Sequence, residues 1–297
     1  YIPNKDQREL RELVKYRKSL TEERTRELNR LQKMLEGANI KISGTIKDIN
    51  GKSSRNILEL IVSGETIDSA RYDLLYKQKA IAHNLMASKE QIIDDLNGVM
   101  TDLQRKVMRV LLRHVDELTA HISELDDDID NFMKPEEKQA AKKIQQVPGI
   151  GNNSAQAVIA VIGTDMDRFP TQAHIASWAG LCPGDNTSAK KRKSGKTRKG
   201  NQLLRATLVN CAHSAVKNKA SYFYAQYMRI SAHRGKKRAI VAVAHSILIA
   251  IFHILKCDYP FRDLGADYYN QFNRERKISA YLKKLKALGW EPSPAAC

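Results

Sequence analysis

Cysteine is scarce in this chain and never occurs at the spacing that a metal site or a disulfide framework requires. The four cysteines, Cys182, Cys211, Cys257 and Cys297, are widely separated, and the sequence contains no Cys-x-x-Cys pair. Zinc sites and disulfide-rich folds use short, paired cysteine spacings. The sequence therefore argues against both and is typical of a protein of the reducing cytoplasm.

A secretion signal is also lacking. The sequence begins Tyr1-Ile2-Pro3, without a methionine and without the charged segment and apolar segment that form such a signal. From this start we expect the chain to be a fragment of a longer protein.

Only one apolar run approaches the length of a membrane span. It covers residues 239–255 and contains two histidines, His245 and His253. This length is at the short end of the spanning range, and polar side chains oppose burial in lipid. We therefore expect a buried core helix and no membrane partner, with His213, His245 and His253 as core histidines.

Acidic side chains are absent from a long part of the sequence. Residues 186–257 contain no Asp or Glu but 16 Lys or Arg, against a net charge of +17 for the whole chain. A solvated surface normally mixes both signs, so this acid-free region indicates a polyanionic partner, and we expect nucleic acid. The predicted phosphate-contacting side chains are Lys190, Lys191, Arg192, Lys193, Lys196, Arg198 and Lys199 in one loop, Arg205 in the next helix, and Arg234, Lys236, Lys237 and Arg238 in a second cluster.

Hydrophobic spacing predicts a mainly α-helical chain. The first 36 residues read as one charged helix that ends at Gly37. From Leu111 to Phe132 the apolar positions recur at alternating steps of four and three, the heptad pattern of a coiled coil. Its partner is either the first helix or the same helix of a second copy, so we expect a homodimer or tetramer. The aspartates beside this seam are interpreted as a solvated face and not as metal ligands: Asp126, Asp127, Asp128 and Asp130.

These patterns divide the chain into four segments. Residues 1–36 form the long helix, and residues 37–138 form a helical linker and the coiled coil. Residues 139–260 are predicted to form an all-helical DNA-binding domain, and residues 261–297 a helical tail.

The DNA-binding domain begins with a glycine-containing turn. Pro148, Gly149, Ile150 and Gly151 separate one predicted helix from the next. The glycines permit positive φ and close backbone approach, and the second helix presents free N–H groups and the positive end of its dipole. The arrangement resembles a helix-hairpin-helix, which holds a DNA phosphate without reading bases. An ordinary corner between two helices is the alternative.

Several long runs resemble the C-terminal domain of the insertion-sequence-110-type transposases, and the likeness extends over essentially the whole chain. The runs are Trp178-Ala-Gly-Leu-Cys-Pro-Gly-Asp-Asn-Thr-Ser-Ala189, Lys193-Ser-Gly-Lys-Thr-Arg-Lys-Gly-Asn201 with Leu204-Arg205, Gly163-Thr-Asp-Met-Asp-Arg-Phe-Pro170, Arg234-Gly-Lys-Lys-Arg-Ala-Ile-Val-Ala-Val-Ala-His245 and Asp263-Leu-Gly-Ala-Asp-Tyr268. Near the N-terminus they include Arg8-Glu-Leu-Arg-Glu-Leu and Glu27-Leu-Asn-Arg-Leu-Gln-Lys.

The resemblance implies a recombinase with two halves. The family's N-terminal half is a RuvC-like fold whose four acidic residues bind Mg²⁺, and its C-terminal half supplies a serine that attacks a DNA phosphate. A structured guide RNA directs target choice in this family. Matching the Gly180-Leu-x-Pro segment and the serine that follows it places the nucleophile on Ser188, with Ser194 as the second candidate. Lys190, Lys191 and Arg192 would then neutralise charge on the reacting phosphate.

The sequence departs from the family at its N-terminus. It starts just past the place where the family's last acidic pair should stand, so residues 1–36 would be the exit from the N-terminal half. The ligands for the Mg²⁺ that the family implies are then missing, and we predict no metal site in this chain. We expect the chain to bind nucleic acid and to assemble, but to be deficient in strand cleavage.

Two other functions stand beside the transposase. A non-catalytic helix-hairpin-helix protein would bind nucleic acid with the turn and the basic loop alone, and Ser188 would then be an ordinary loop or N-cap serine. A tyrosine recombinase is disfavoured, because the sequence shows no Arg…His-x-x-Arg…Tyr arrangement.

Overall fold

Helices account for most of the residues in the computed structural model, which describes residues 3–46, 48–82, 87–184, 186–188, 191–272 and 274–290. The chain divides into two compact units. One unit is Lys15–Asp130, and the other combines Tyr1–Val14 with Asn131–Cys297. The prediction of a mainly α-helical protein is confirmed.

The helices and strands are these. The first part of the chain forms α1 (Lys5–Gly37), α2 (Ile42–Thr45), α3 (Lys52–Ser63), α4 (Ser69–Lys77), α5 (Lys89–Asp95) and α6 (Asp102–Phe132). The remainder forms α7 (Pro135–Ile144), α8 (Asn152–Ile162), α9 (Gln172–Trp178), β1 (Asn186–Ser188), β2 (Lys191–Ser194), α10 (Gln202–Ala215), α11 (Tyr222–Arg234), α12 (Lys236–Cys257), α13 (Tyr268–Gln271) and α14 (Arg274–Ala287).

The heptad seam of α6 packs against α1 of the same chain. Leu118 and Ile122 are buried in one cluster with Leu20 of α1. Arg17 donates a hydrogen bond to Asp126 at 2.7 Å, and Arg24 contacts the Thr119 hydroxyl at 3.4 Å. Later residues of α1 contact earlier residues of α6, so the two helices are antiparallel. Of the two partners predicted for this seam, the first long helix is the one that covers it here.

The aspartates at the end of α6 do not gather into a cluster. Asp126 pairs with Arg17, whose side chain is only 5% exposed. Asp127, Asp128 and Asp130 are exposed. The exposure of these three aspartates agrees with the predicted solvated face. Asp126 instead compensates the charge of the buried Arg17 guanidinium.

The apolar run near residue 240 forms a core helix of the second unit. Helix α12 packs against α7, α9, α10 and α11, and its buried side includes Val243, Ile247 and Ile251. The length and apolar composition of this helix would also allow it to cross a membrane. Core helices of soluble proteins meet the same two criteria. The prediction of three core histidines is wrong for two of them, because His213 and His253 are exposed and only His245 is half-buried.

One prediction of secondary structure within residues 139–260 is also wrong. The segment expected to be a loop in an all-helical domain contains a short antiparallel hairpin, in which β1 pairs with β2. Ser188 lies opposite Lys191, and Asn186 lies opposite Ser194. Both strands are short and polar, so they lack the alternation of apolar and polar residues that identifies a strand in a sequence.

Candidate nucleic-acid interface

Two chain segments cross in close contact where the hairpin meets the helical unit, and we call residues 180–184 and 195–200 the hairpin neck. A Cβ on Gly200 would lie 2.3 Å from the backbone nitrogen of Gly180. A Cβ on Gly180 would lie 2.8 Å from the nitrogen of Gly200, and Gly180 has a φ of +71°. Only glycine fits at either position without displacing backbone. The two glycines of the family-like motif thus have a structural explanation.

Hydrogen bonds fix the same crossing. The Nη1 of Arg205, on α10, donates to the carbonyl oxygen of Gly180 at 2.6 Å and to the Thr197 hydroxyl at 2.9 Å. Asn201 caps α10, since its side chain accepts from the backbone N–H of Leu204 at 3.0 Å. Arg205 was predicted to neutralise phosphate charge, and the structure gives it a positioning role at the neck through these contacts.

A cavity of about 650 Å³, here called the hairpin cavity, opens beside the neck. Lys196 and Arg205 line it from the neck and α10, and Lys237 and Arg238 line it from the first turn of α12. These cations come from two separate parts of the sequence, residues 196–205 and residues 237–238. None of the described residues that line the hairpin cavity is Asp or Glu. The structure therefore brings cations from both predicted basic clusters to one cavity.

The start of α12 adds to this surface. Arg234, Lys236, Lys237 and Arg238 are all exposed, and within the described part of the chain none of them forms an ion pair. Gly235 caps α12 with a φ of +82°. The unpaired N–H groups of the first helical turn carry a partial positive charge in addition to the side chains. An anion near this end of α12 would be attracted both by the cationic side chains and by the N–H groups of the first turn.

One wall of the hairpin cavity is apolar and neutral. Val241 and Ala242 lie there with His245, one and two turns into α12. Burial lowers the pKa of His245 below its ordinary value, so its imidazole is neutral at pH 7. The wall contributes shape and hydrogen-bonding groups rather than charge.

The two candidate nucleophiles lie at opposite ends of the hairpin. Ser188 is the last residue of β1, and Ser194 is the last residue of β2, directly before Gly195, which lines the hairpin cavity. Lys190 lies outside the described residues, as do the side chains of Ser188, Lys191, Arg192, Lys193 and Ser194. The choice between the two serines stays a prediction.

A second depression lies beside residues 198–200 of the neck. Arg198 and Lys199 border it together with His174 and Trp178. Trp178 is 41% exposed and contacts Phe169, with ring centroids 5.6 Å apart. An exposed indole beside two cations is a surface on which a nucleic-acid base can stack.

The turn between α7 and α8 presents only part of its predicted contact surface. Ile150 is buried, and a Cβ on Gly149 would lie 2.3 Å from the carbonyl oxygen of Cys211 on α10. Gly149, at φ +88°, therefore serves the packing of the turn on α10. Pro148 is half-buried, and Gly151 is exposed with open space around it at the start of α8.

Sequence reasoning did not single out two side chains of this surface. Gln226 reaches the hairpin cavity from α11, and Trp178 was noted only as part of a motif. A lone glutamine in a helix and a lone tryptophan before a glycine carry no distinctive spacing. Their significance depends on which elements the fold brings together.

The described residues do not fit a bound Mg²⁺. Among them, no group of three or more His, Cys, Asp or Glu side chains is placed to hold a metal ion. Mg²⁺ needs near-octahedral coordination by oxygen ligands, with carboxylates to compensate its charge. We therefore assign no step of any reaction to a metal held by these side chains.

Comparison with known proteins finds similarity to transposases. Residues 141–228 match the family described as "Transposase IS116/IS110/IS902 family". A protein of Pseudomonas aeruginosa named "Probable family 20 transposase" is 28% identical over 113 residues, which is 38% of this chain and 32% of that relative. The match thus spans about a third of the relative's length.

The matched residues include the α7–α8 turn, the hairpin with its neck, and α10. These are the elements that carry the glycine crossing, both candidate serines and the first basic cluster. Over residues 141–228, this chain is therefore similar to the IS116/IS110/IS902 transposase family.

Proposed function

We propose that this chain binds DNA along the hairpin face, defined as the hairpin, its neck and the start of α12, and that it does so as part of an insertion-element transposase. One observation carries the proposal. Lys196 and Lys237, which belong to separate basic clusters, line a single cavity that has no acidic side chain among its described lining residues.

Physical chemistry favours a phosphate backbone as the ligand of this face. Neutralising phosphates with Lys and Arg releases condensed counterions, and this release drives sequence-independent binding. An acidic side chain among the cations would repel the strand. Residues 186–257 contain no Asp or Glu, so no acidic side chain of this region repels a bound strand.

Charge-removing substitutions test the proposal. Lys237→Gln together with Arg238→Gln should weaken binding to a DNA duplex by roughly tenfold, because two phosphate contacts are lost. The control is Lys283→Gln with Lys284→Gln on α14, which removes the same charge from an exposed helix outside the hairpin face. Equal weakening by both pairs would show that only net charge matters, and would overturn the proposal.

We further propose that Ser188 is the nucleophile of strand cleavage, with Ser194 as the second candidate. Its oxygen would form a bond to phosphorus while the bond from phosphorus to a deoxyribose oxygen breaks, and that oxygen would leave with a proton. A serine hydroxyl is a weak nucleophile, so nearby cations that stabilise the phosphorane charge would be needed. The basic hairpin around both serines supports this role.

A trapped covalent protein–DNA adduct tests the serine directly. The assay requires the acidic residues implied by the family resemblance to be supplied in the same protein. Ser188→Ala should abolish the adduct and leave DNA affinity unchanged, whereas Ser194→Ala should keep the adduct. The reverse pattern would move the role to Ser194. The absence of any serine adduct would favour the alternative, a non-catalytic nucleic-acid-binding protein.

The turn between α7 and α8 is proposed as a second phosphate contact, in the manner of a helix-hairpin-helix. Gly151 is exposed, and the N–H groups that begin α8 follow it directly. These groups lack partners within the helix and suit an anion.

RNA and a second copy of the chain are further proposed partners, and the cytoplasm is the proposed location because the DNA is there. A structured guide RNA has the same phosphate chemistry as DNA and would compete for the hairpin face. Self-association through α6 would use the face that carries Leu103, Val107 and Val110, which are exposed, since α1 covers the heptad seam. A monomeric mass by light scattering at micromolar concentration would contradict this assembly.

A further inference from the structure

The inner wall of the hairpin cavity contains a polar side chain with an unused hydrogen-bonding atom. Gln226 of α11 is 9% exposed and lines the cavity. Its Nε2 donates to the Ser246 hydroxyl at 2.8 Å, and its Oε1 is buried with no hydrogen-bond partner. A buried polar atom without a partner costs free energy, so such an atom is usually satisfied by a ligand or water.

The amide can serve ligands of either polarity. The Ser246 hydroxyl can accept a hydrogen bond or donate one. If the Ser246 hydroxyl donates to the Gln226 oxygen, the amide group is rotated by half a turn, and its N–H group then faces the ligand. In both arrangements, one end of the Gln226 amide is left to pair with a group that enters the cavity.

The other lining residues separate into two zones. Val241, Ala242 and the buried Leu181 offer apolar surface, and the neutral His245 lies beside them. Lys196, Lys237 and Arg238 supply the positive charge. The volume of about 650 Å³ lies within the range of roughly 300–1,000 Å³ that is typical of small-ligand pockets.

We propose that the hairpin cavity takes one unpaired nucleotide of the bound DNA strand, with its base against the apolar wall and its phosphate at the cations. The inference rests on the proposed DNA binding and names which part of the strand enters this site. The base edge would hydrogen-bond to the Gln226 amide, in the way that proteins read bases turned out of a duplex.

A bare phosphate would explain less of this site. It would use the cations but leave the apolar wall in contact with water and the Gln226 oxygen without a partner. A nucleotide satisfies both zones, because its flat base has apolar faces and hydrogen-bonding edges and its phosphate is anionic. The combination of zones, not the charge alone, points to a base.

The test compares two short single strands of DNA that carry the same number of phosphates. One has normal bases, and the other has an abasic sugar at every position. The wild-type protein should bind the strand with bases at least about fivefold more tightly. Affinities are measured by fluorescence anisotropy at fixed salt concentration.

Two variants assign this preference to the hairpin cavity. Gln226→Leu removes the hydrogen bond to the base, and Ala242→Phe fills the apolar zone. Each should bring the ratio of the two affinities close to one while the affinity for the abasic strand stays unchanged. Gln202→Leu is the matched control, because Gln202 is exposed on α10 and does not line the cavity. Circular dichroism shows whether each variant folds. If one of Gln226→Leu and Ala242→Phe does not fold, the affinity ratio of the other one tests the nucleotide site.

The outcomes separate this inference from the DNA-binding proposal. Salt-dependent binding of both strands with no preference for bases would overturn the nucleotide site and leave DNA binding standing. A preference that both variants retain would also overturn it, since the bases would then stack elsewhere. The same comparison is made with a pair of ribose strands, and a preference for bases seen only with that pair would overturn the assignment to DNA. If neither DNA strand bound, the DNA-binding proposal itself would be overturned.

Discussion

Gly180 and Gly200 hold two chain segments closer together than any other residue type allows. Gly180→Ala would place a Cβ 2.8 Å from the Gly200 nitrogen on a backbone with φ of +71°. Strain at such a position costs about 1–3 kcal/mol, so we expect a lower free energy of unfolding and weaker DNA binding. Urea denaturation measures the first and duplex binding the second.

The control for this substitution lies in the same neck. Gly195 has no atom within 4 Å of an added Cβ. Gly195→Ala should therefore leave the free energy of unfolding unchanged within error. If Gly180→Ala were equally harmless, the close crossing would not be needed for the fold.

His245 predicts a pH dependence of stability. Burial lowers the pKa of His245 in the folded state below its ordinary value. The unfolded chain therefore binds a proton more readily, and the stability present above about pH 6.5 is lost as the pH falls below that value. His245→Gln should flatten this part of the curve of melting temperature against pH. His213→Gln, at an exposed histidine, should not; equal flattening by both would exclude a specific effect of His245.

For single residues, the sequence predicted which side chains could contact phosphate better than it predicted what surrounds each side chain in the fold. Of the cations predicted to contact phosphate, Lys196, Arg205, Lys237 and Arg238 line the hairpin cavity, whereas Arg198 and Lys199 border the second depression. The packing of Gly149 on α10, the burial of Ile150 and the orientation of Gln226 depend on contacts with helices far away in the sequence. No local pattern encodes those contacts.

The start of α8 allows a test in which stability and binding respond differently. Asn152→Asp places a negative charge at the first turn of α8 and keeps an oxygen to accept the Gln145 contact. A carboxylate near a helix N-terminus stabilises the helix, so the melting temperature should not fall. The same charge repels phosphate, and DNA affinity should drop by roughly two- to tenfold.

The matched control is Asn50→Asp, at an exposed residue of the Lys15–Asp130 unit, which adds the same charge. It should change DNA affinity less than Asn152→Asp does. An Asn152→Asp protein that binds DNA as tightly as the wild type would remove this turn from the interface.

At the scale of elements, strong periodicity made the long helices predictable. The heptad of α6 and the apolar run of α12 each persist over several turns, and both form the helices expected. The β-hairpin was not predictable, because its three- and four-residue strands are polar and pair only with each other. Which partner covers the α6 seam was open in the sequence, since a heptad indicates a partner helix without naming it.

For the whole molecule, the distribution of charge matters more than its total. The excess of +17 arises almost entirely from residues 186–257, and the fold brings cations from two separate parts of that region to the hairpin cavity. A concentrated positive face binds a polyanion by counterion release, and its affinity must fall steeply as salt rises. A protein that is basic only on average would not create such a face.

The dependence of DNA affinity on salt concentration therefore tests this electrostatic face most directly. If the face contacts 6 to 10 phosphates, the affinity for a duplex should fall by roughly 10³- to 10⁵-fold between 50 and 200 mM salt. The slope of log affinity against log salt should become shallower by about two in the Lys237→Gln, Arg238→Gln protein. An affinity that barely changes over this range would contradict DNA binding by the hairpin face.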